Sequence, residues 1–111
     1  MADKDPRLES LERQESRARP IAERGRRAKA ILDDEIVKEA FAELEGHILE
    51  TFKETSPEEA AKLQEIRREW GSMKLFRAVF ERHVRHGSVA EKEIGIIVKQ
   101  RKSIAERKRR K

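Results

Sequence analysis

Three histidines, His47, His83 and His86, are the imidazole groups that this chain offers for metal binding. His83 and His86 are three positions apart, so on a helix they share a face and could clamp one metal ion. The same spacing is typical of an exposed last helical turn, where histidine suits the carboxyl end of the helix dipole. No glutamate stands three residues before any of them, so the Glu-x-x-His pattern of di-iron bundles is absent. We predict no metal site and no cofactor.

The common enzyme motifs are missing from the sequence. There is no cysteine, which excludes disulfides, thiolate zinc sites and cysteine nucleophiles. No glycine-rich phosphate loop occurs, and no Ser/His/Asp arrangement has a recognisable context. Carboxylates are frequent, but pairs on one helix face arise by chance when 44% of the residues are charged. We predict that the protein is not an enzyme.

Basic residues are sorted into two blocks. Residues 7–30 hold eight Lys/Arg against four Glu, residues 31–98 ten against fifteen acids, and residues 99–111 eight against one. Such blocks attract polyanions, and these contain no aromatic residue that could stack on bases. We therefore expect salt-sensitive contacts to DNA phosphates. The alternative for the basic residues 107–111 is a solvated, disordered chain end that contacts nothing specific. The candidate nucleic-acid-binding residues are Arg24, Arg26, Arg27, Lys29, Arg101, Lys102, Arg107, Lys108, Arg109, Arg110 and Lys111.

Length and composition predict one small all-α domain that associates with copies of itself. Of the 111 residues 36% are apolar, so any core is thin, and a lone subunit would bury little surface. No apolar run approaches the roughly 20 residues of a membrane span, and the first residues do not resemble a signal peptide. We expect no membrane partner and a cytoplasmic location.

The segment 34–54 carries a helical apolar stripe. Val37, Phe41, Leu44, Ile48 and Phe52 follow one another at intervals of four, three, four and four residues, which places them on one helical face. Asp33 before the stripe predicts an N-cap. We predict a helix over 34–54 whose stripe is buried within the subunit or between subunits.

A second helix is predicted over 57–86. Ser56, Pro57 and Glu59 form a capping-box signature, with proline at the first helical position. Gly87 is typical of a helix end. The almost absent loop at Thr55 predicts that this helix packs antiparallel against 34–54 as a hairpin. Its candidate core or oligomer residues are Leu63, Ile66, Trp70, Met73, Phe76 and Phe80.

Outside the hairpin, we predict helices over 21–32 and 89–104, which complete a helical domain of residues 21–98. The capping pattern of Ser88 to Glu91 marks the start of the third helix. A helix-turn-helix with its turn at Gly95 is an alternative to one continuous amphipathic helix there. Residues 1–20 are predicted to be a polar arm, disordered by composition although Asp5 and Pro6 could open a short helix. Residues 99–111 are predicted to be a basic tail.

Two stretches resemble small helical proteins of tailed bacteriophages and prophages. They are Arg27-Ala28-Lys29-Ala30-Ile31-Leu32-Asp33-Asp34-Glu35-Ile36 with Glu39-Ala40-Phe41, and Val84-Arg85-His86-Gly87-Ser88-Val89-Ala90-Glu91. The resemblance spans residues 27–93. Among such proteins, a helical hairpin with basic appendages is similar to small terminase subunits, although no secure N-terminal helix-turn-helix is present here.

The resemblance implies a ring-forming protein that binds viral DNA and regulates the large terminase subunit. We therefore predict a non-enzymatic DNA-packaging or DNA-binding oligomer that is located in the host cytoplasm or associated with the virion. The alternative is a structural or adaptor protein of a virion or other assembly, whose basic arms bind acidic protein surfaces. It predicts a stable assembly that does not need DNA.

Overall fold

The computed structural model describes residues 5–110, which form three α-helices and no strand. Helix α1 is Pro6–Asp33, α2 is Glu35–Glu54 and α3 is Ala60–Arg109. The all-α prediction is confirmed for these residues. Contacts divide the chain into two compact units, and α1 and α3 contribute to both. We call Met1–Arg27 with His83–Lys111 the terminal unit, and Ala28–Arg82 the central unit.

Helix α1 begins far earlier than predicted. The Asp5 carboxylate accepts a hydrogen bond of 2.9 Å from the Arg7 backbone N–H, and Pro6 takes the first helical position. The helix continues through Pro20 to Asp33, so the predicted disordered arm over 1–20 is wrong from Pro6 onward. Packing of one α1 face within the terminal unit stabilises this polar segment. Residues 1–4 lie outside the described part.

Helix α2 matches its predicted range to within one residue, but its cap is different. The Asp34 carboxylate, not that of Asp33, accepts hydrogen bonds from the backbone N–H groups of Ile36 and Val37, at 2.9 and 3.3 Å. Asp33 is the last residue of α1. Asp34 alone therefore connects the two helices.

The turn after α2 uses the predicted capping residues, but the helix starts later. The Glu59 carboxylate accepts a hydrogen bond of 3.2 Å from the Ser56 N–H, which is one half of a capping box. The Glu59 N–H donates to the Ser56 carbonyl at 3.0 Å, which closes a turn over Pro57 and Glu58. The Ser56 hydroxyl lowers the pKa of Glu58 by hydrogen bonding. Helix α3 consequently begins at Ala60 instead of Pro57.

Helix α3 runs over 50 residues without a break. The predicted stop at Gly87, the new start at Ser88 and the helix-turn-helix turn at Gly95 are all wrong. Gly87 has an ordinary helical backbone, since no described glycine has a positive φ. Residues 99–109, predicted as a basic tail, are the last turns of this helix.

The central unit has a core of large side chains. Phe41 and Ile48 of α2 are buried with Ile66 and Met73 of α3. Near the start of α2, the Phe41 ring centroid is 6.2 Å from that of Phe76, and Arg77 covers the Phe41 ring at 4.4 Å. Val37, Leu63, Trp70 and Phe80 are half-buried, whereas Leu44, Phe52 and Phe76 are exposed. The predicted stripe is therefore only partly covered within one chain.

The terminal unit has a seam in which small residues lie beside larger ones, of which Leu11 and Ile97 are buried. Ala18 and Ala22 of α1 are buried with Ala90 of α3, and Ile94 packs against them. A Cβ atom built on Gly25 would lie 2.6 Å from the Cα of Gly87, so the two backbones touch there. Only glycine at both positions allows this approach. None of the described helices has a stretch that is long and apolar enough to cross a membrane.

Candidate nucleic-acid interface

The seam of the terminal unit follows a seven-residue repeat, which fixes the face that each side chain occupies. Its positions alternate at intervals of three and four residues, the spacing of a coiled-coil contact line. Contacts run in opposite order along the two segments, from Gly25 with Gly87 at one end to Asp5 with Lys108 at the other. The seam positions are Leu8, Leu11, Glu15, Ala18, Ala22 and Gly25 on α1, and Gly87, Ala90, Ile94, Ile97, Arg101 and Ile104 on α3.

One seam position holds a buried carboxylate. Glu15 is 8% exposed, and its Oε2 accepts a hydrogen bond of 2.7 Å from Arg19 Nε. Arg101 Nη2 lies 2.8 Å from Glu15 Oε1, an ion pair whose geometry falls short of a hydrogen bond. Arg101 thereby reaches into the seam from α3. A buried carboxylate needs such partners because its desolvation is costly.

Other acids of the terminal unit also pair internally. The Arg26 guanidinium contacts Glu23 at 2.8 Å and Glu91 at 2.7 Å, and these hydrogen bonds raise the pKa of Arg26. At the opposite end, hydrogen bonds from Arg7 lower the pKa of Asp5, and Lys108 Nζ lies 3.5 Å from the same carboxylate. These acids are therefore partly neutralised by cations of their own unit.

The face of α3 opposite the seam carries an uninterrupted row of exposed side chains. Counted in steps of three and four, the row starts at Arg85 and ends at Arg109. At a rise of 1.5 Å per residue it is about 36 Å long. Among the described residues, none of its five cations forms an ion pair, and Glu106 is its one acid. This α3 stripe is Arg85, Ser88, Lys92, Gly95, Lys99, Lys102, Glu106 and Arg109.

Helix α1 has a corresponding row on its own outer face. Arg13, Arg17, Pro20, Arg24 and Arg27 follow at intervals of four, three, four and three residues, and all are exposed. We call this row the α1 stripe. None of its arginines takes part in an ion pair within residues 5–110. It contains no acid, and it is about 21 Å long.

The predicted DNA-binding residues fall into different environments. Arg24 and Arg27 lie in the α1 stripe, and Lys102 and Arg109 lie in the α3 stripe. Arg107 and Arg110 are exposed beside the latter, and Lys29 is exposed in the central unit. Lys111 lies outside the described residues. The cations that instead contact carboxylates of the terminal unit are Arg26, Arg101 and Lys108.

Sequence reasoning missed five cations of the two stripes: Arg13, Arg17, Arg85, Lys92 and Lys99. The signal that could have found them is the seven-residue spacing of small residues. Ala18, Ala22 and Gly25 contribute little hydropathy, so a search for large apolar side chains passes over them.

The histidines do not assemble into a site. His83 is half-buried, and His47 and His86 are exposed. Within the described chain, no group of three or more His, Asp or Glu side chains is arranged to hold a metal ion.

Comparison of the chain with protein-family models, with curated proteins and with solved structures gives no match.

Proposed function

We propose that this protein is a non-enzymatic DNA-binding oligomer and that the α3 stripe binds DNA phosphates. This proposal rests on the row of five exposed cations that lack carboxylate partners among the described residues. Its length of about 36 Å is close to one turn of duplex DNA, which carries a charge every 1.7 Å or so. Ser88 and Gly95 are the small residues of the row, and they leave room for a close approach to the backbone.

The charge of the two units supports this assignment. Over residues 5–27 and 83–110 the terminal unit has sixteen Lys/Arg against eight Asp/Glu, a net charge of +8. The central unit has nine against thirteen, a net charge of −4. Half of the acids of the terminal unit, Asp5, Glu15, Glu23 and Glu91, contact cations of that unit. The attraction for a polyanion is therefore concentrated in the terminal unit.

We further propose that α2 and the first part of α3 form the predicted antiparallel hairpin and that this hairpin, in the central unit, holds copies of the chain together. Leu44, Phe52 and Phe76 are 49%, 55% and 60% exposed although they belong to the predicted apolar stripes. Exposed apolar side chains in such number are typical of an interaction surface. The occupant we propose is the same surface of a second copy, because equivalent patches meet across a twofold interface.

The resemblance to small terminase subunits fits this combination of DNA binding and self-association. On that basis we propose a role in phage DNA packaging, with the large terminase subunit or another virion protein as a further partner. The protein would then act in the host cytoplasm.

The salt dependence of DNA affinity tests the proposed function. We would titrate a 30-bp duplex with the full chain and with a variant in which Lys92, Lys99, Lys102 and Arg109 are changed to Gln. The matched control neutralises four exposed cations of the central unit, Lys38, Lys53, Lys62 and Arg68. Each lost phosphate contact lowers the steepness of log K against log salt by about 0.9, so we expect a drop of about 3 to 4 for the α3 variant alone. Equal slopes for all three proteins would contradict the proposal.

A structural or adaptor protein of a virion is the second candidate. The observation that favours it is the net charge of −4 on the central unit, which offers an acidic surface to a neighbour's basic stripe. This alternative predicts a stable assembly without DNA and no retention of DNA at about 0.15 M salt. The same titration distinguishes the two candidates.

A further inference from the structure

The two basic stripes of the terminal unit lie on opposite sides of its helix pair. In a seven-residue repeat, the residues about 180° from the contact line point away from the partner helix. Arg13 and Arg27 of α1 and Lys92 and Lys99 of α3 occupy such positions. Since each helix turns its seam toward the other, the two outward faces point in opposite directions. The pair therefore has two separate cationic surfaces.

The thickness of the helix pair keeps these surfaces apart. The contact of Gly25 with Gly87 brings the helices as close as their backbones allow, yet two helices of about 10 Å diameter still separate the outer faces by roughly 20 Å. One straight duplex cannot lie against both faces of such a pair. Each stripe is long enough to contact several phosphates, with about 21 Å on α1 and about 36 Å on α3.

The sides of the helix pair, between the two stripes, carry acids together with cations that pair with them. Glu23 and Glu91 lie along the side of the pair, where both contact Arg26, and Glu12 and Glu93 are also off the stripes. Over residues 5–27 and 83–110, seven cations balance seven acids outside the stripes, whereas each stripe has a net charge of +4. A phosphate backbone is therefore attracted to the two outer faces. Positive charge is thus concentrated on two opposite faces of the helix pair and does not form one continuous band around it.

We propose that the terminal unit binds two DNA segments at once, one on each outer face, and thereby bridges them. This inference rests on the proposed function and extends it, because binding to DNA phosphates requires only one stripe. The α1 stripe is an additional binding site, with four arginines and no acid. The ligand is the phosphate backbone of duplex DNA on both faces.

A co-capture experiment tests bridging separately from binding. A biotinylated 30-bp duplex is immobilised, and the full chain is added with a second, fluorescent duplex at about 0.1 M salt. The amount of fluorescent duplex retained reports bridging, and a titration of one duplex in solution reports binding. Two variants are compared, one with Arg13, Arg17, Arg24 and Arg27 changed to Gln, and the α3 variant described above. Glutamine keeps the helix propensity at these exposed positions, and circular dichroism checks the fold.

We expect the full chain to co-capture the second duplex and each variant to lose co-capture by about tenfold or more, while the α1 variant still binds one duplex through its α3 stripe. If the full chain binds one duplex without co-capture, the bridging inference is overturned and the proposed function stands. If the α1 variant bridges as well as the full chain does, bridging comes from other copies in the oligomer and the two-face inference is again wrong. If the full chain binds no duplex, both proposals fail.

Discussion

The two units of this chain pack helices together by different means. In the central unit, large side chains such as Phe41 and Met73 fill the space between α2 and α3. In the terminal unit, Ala22, Gly25 and Gly87 let the helix backbones approach directly at one end of the seam, and Leu11 and Ile97 are the large side chains buried farther along it. Among the described residues, seven large apolar side chains are exposed in the central unit, against four in the terminal unit, which are Ile21, Val89, Ile96 and Val98. The difference favours the central unit for self-association and the terminal unit, with its basic outer faces, for binding another ligand.

The surfaces of the two units also differ in charge and in apolar character. A groove of about 350 Å³ in the central unit is lined by Ile48, Leu49, Phe52, Leu63, Ile66, Arg67 and Trp70. It is mostly apolar and belongs to the acidic part of the chain. The terminal unit instead presents two basic stripes and has a net charge of +8 over residues 5–27 and 83–110. An acidic unit with an apolar groove and a basic unit with two cationic stripes are expected to contact different partners.

The largest effect is expected in the central core. Phe41→Ala removes a buried ring that contacts Phe76 and Arg77, and we expect it to lower the free energy of unfolding by about 3 to 5 kcal/mol. Urea denaturation followed by circular dichroism measures this loss. Ile36→Ala is the matched control, because Ile36 in the same helix is 75% exposed. Similar losses for both variants would show that Phe41 is not the core residue described above.

The next effect concerns the backbone contact in the terminal unit. Gly87→Ala places a methyl group 2.6 Å from the Cα of Gly25, so the helices must shift, and we expect a loss of about 1 to 3 kcal/mol. Gly95→Ala in the same helix meets nothing within 4 Å and should stabilise by about 1 kcal/mol. Thermal unfolding of the two variants gives opposite shifts if the seam is as close as described. A stabilising Gly87→Ala would contradict it.

A smaller effect tests the buried carboxylate of the seam. Glu15→Ala leaves Arg101 without its partner, and we expect a cost of about 1 to 2 kcal/mol because Arg101 remains about one-third exposed. A double-mutant cycle with Arg101→Ala isolates the coupling between the two side chains. Additive losses would mean that the ion pair contributes nothing to the seam.

The smallest effect is a titration at the start of α1. Hydrogen bonds from Arg7 hold the pKa of Asp5 below its ordinary value, so the carboxylate stabilises the folded helix start above that value. This contribution is lost as the pH falls through the lowered pKa. Carbon-13 NMR of the carboxyl group follows the titration, and Arg7→Gln should bring the pKa back toward its ordinary value. An ordinary pKa in the unchanged protein would contradict the cap.

The central unit was more predictable from sequence than the terminal unit. The spacing of Val37, Phe41 and Ile48 predicted α2 because large apolar side chains give a strong periodic signal. The turn at Ser56 followed from local capping chemistry, although the helix starts three residues later than predicted. Both depend on residues close together in sequence. The structure confirms the all-α class for the described residues.

The terminal unit depends on contacts between residues far apart in sequence. Gly87 by itself is typical of a helix end, and only the presence of Gly25 against it explains why the helix continues. Residues 6–20 look disordered by composition, because the residues that pack them belong to the last third of the chain. The outward stripes could not be predicted without the seam, since the seam determines which faces are exposed.

The central claim is that the central unit holds copies of the chain together and the terminal unit binds DNA. Native mass measurement of the full chain, alone and with a 30-bp duplex, tests this claim most directly. The account predicts an oligomer that forms without DNA and then binds it. It also predicts that the variant with Lys92, Lys99, Lys102 and Arg109 changed to Gln keeps the same subunit number while its DNA-bound fraction falls about tenfold or more. A monomer that assembles only on DNA, or a variant that loses its subunits along with the DNA, would contradict the account.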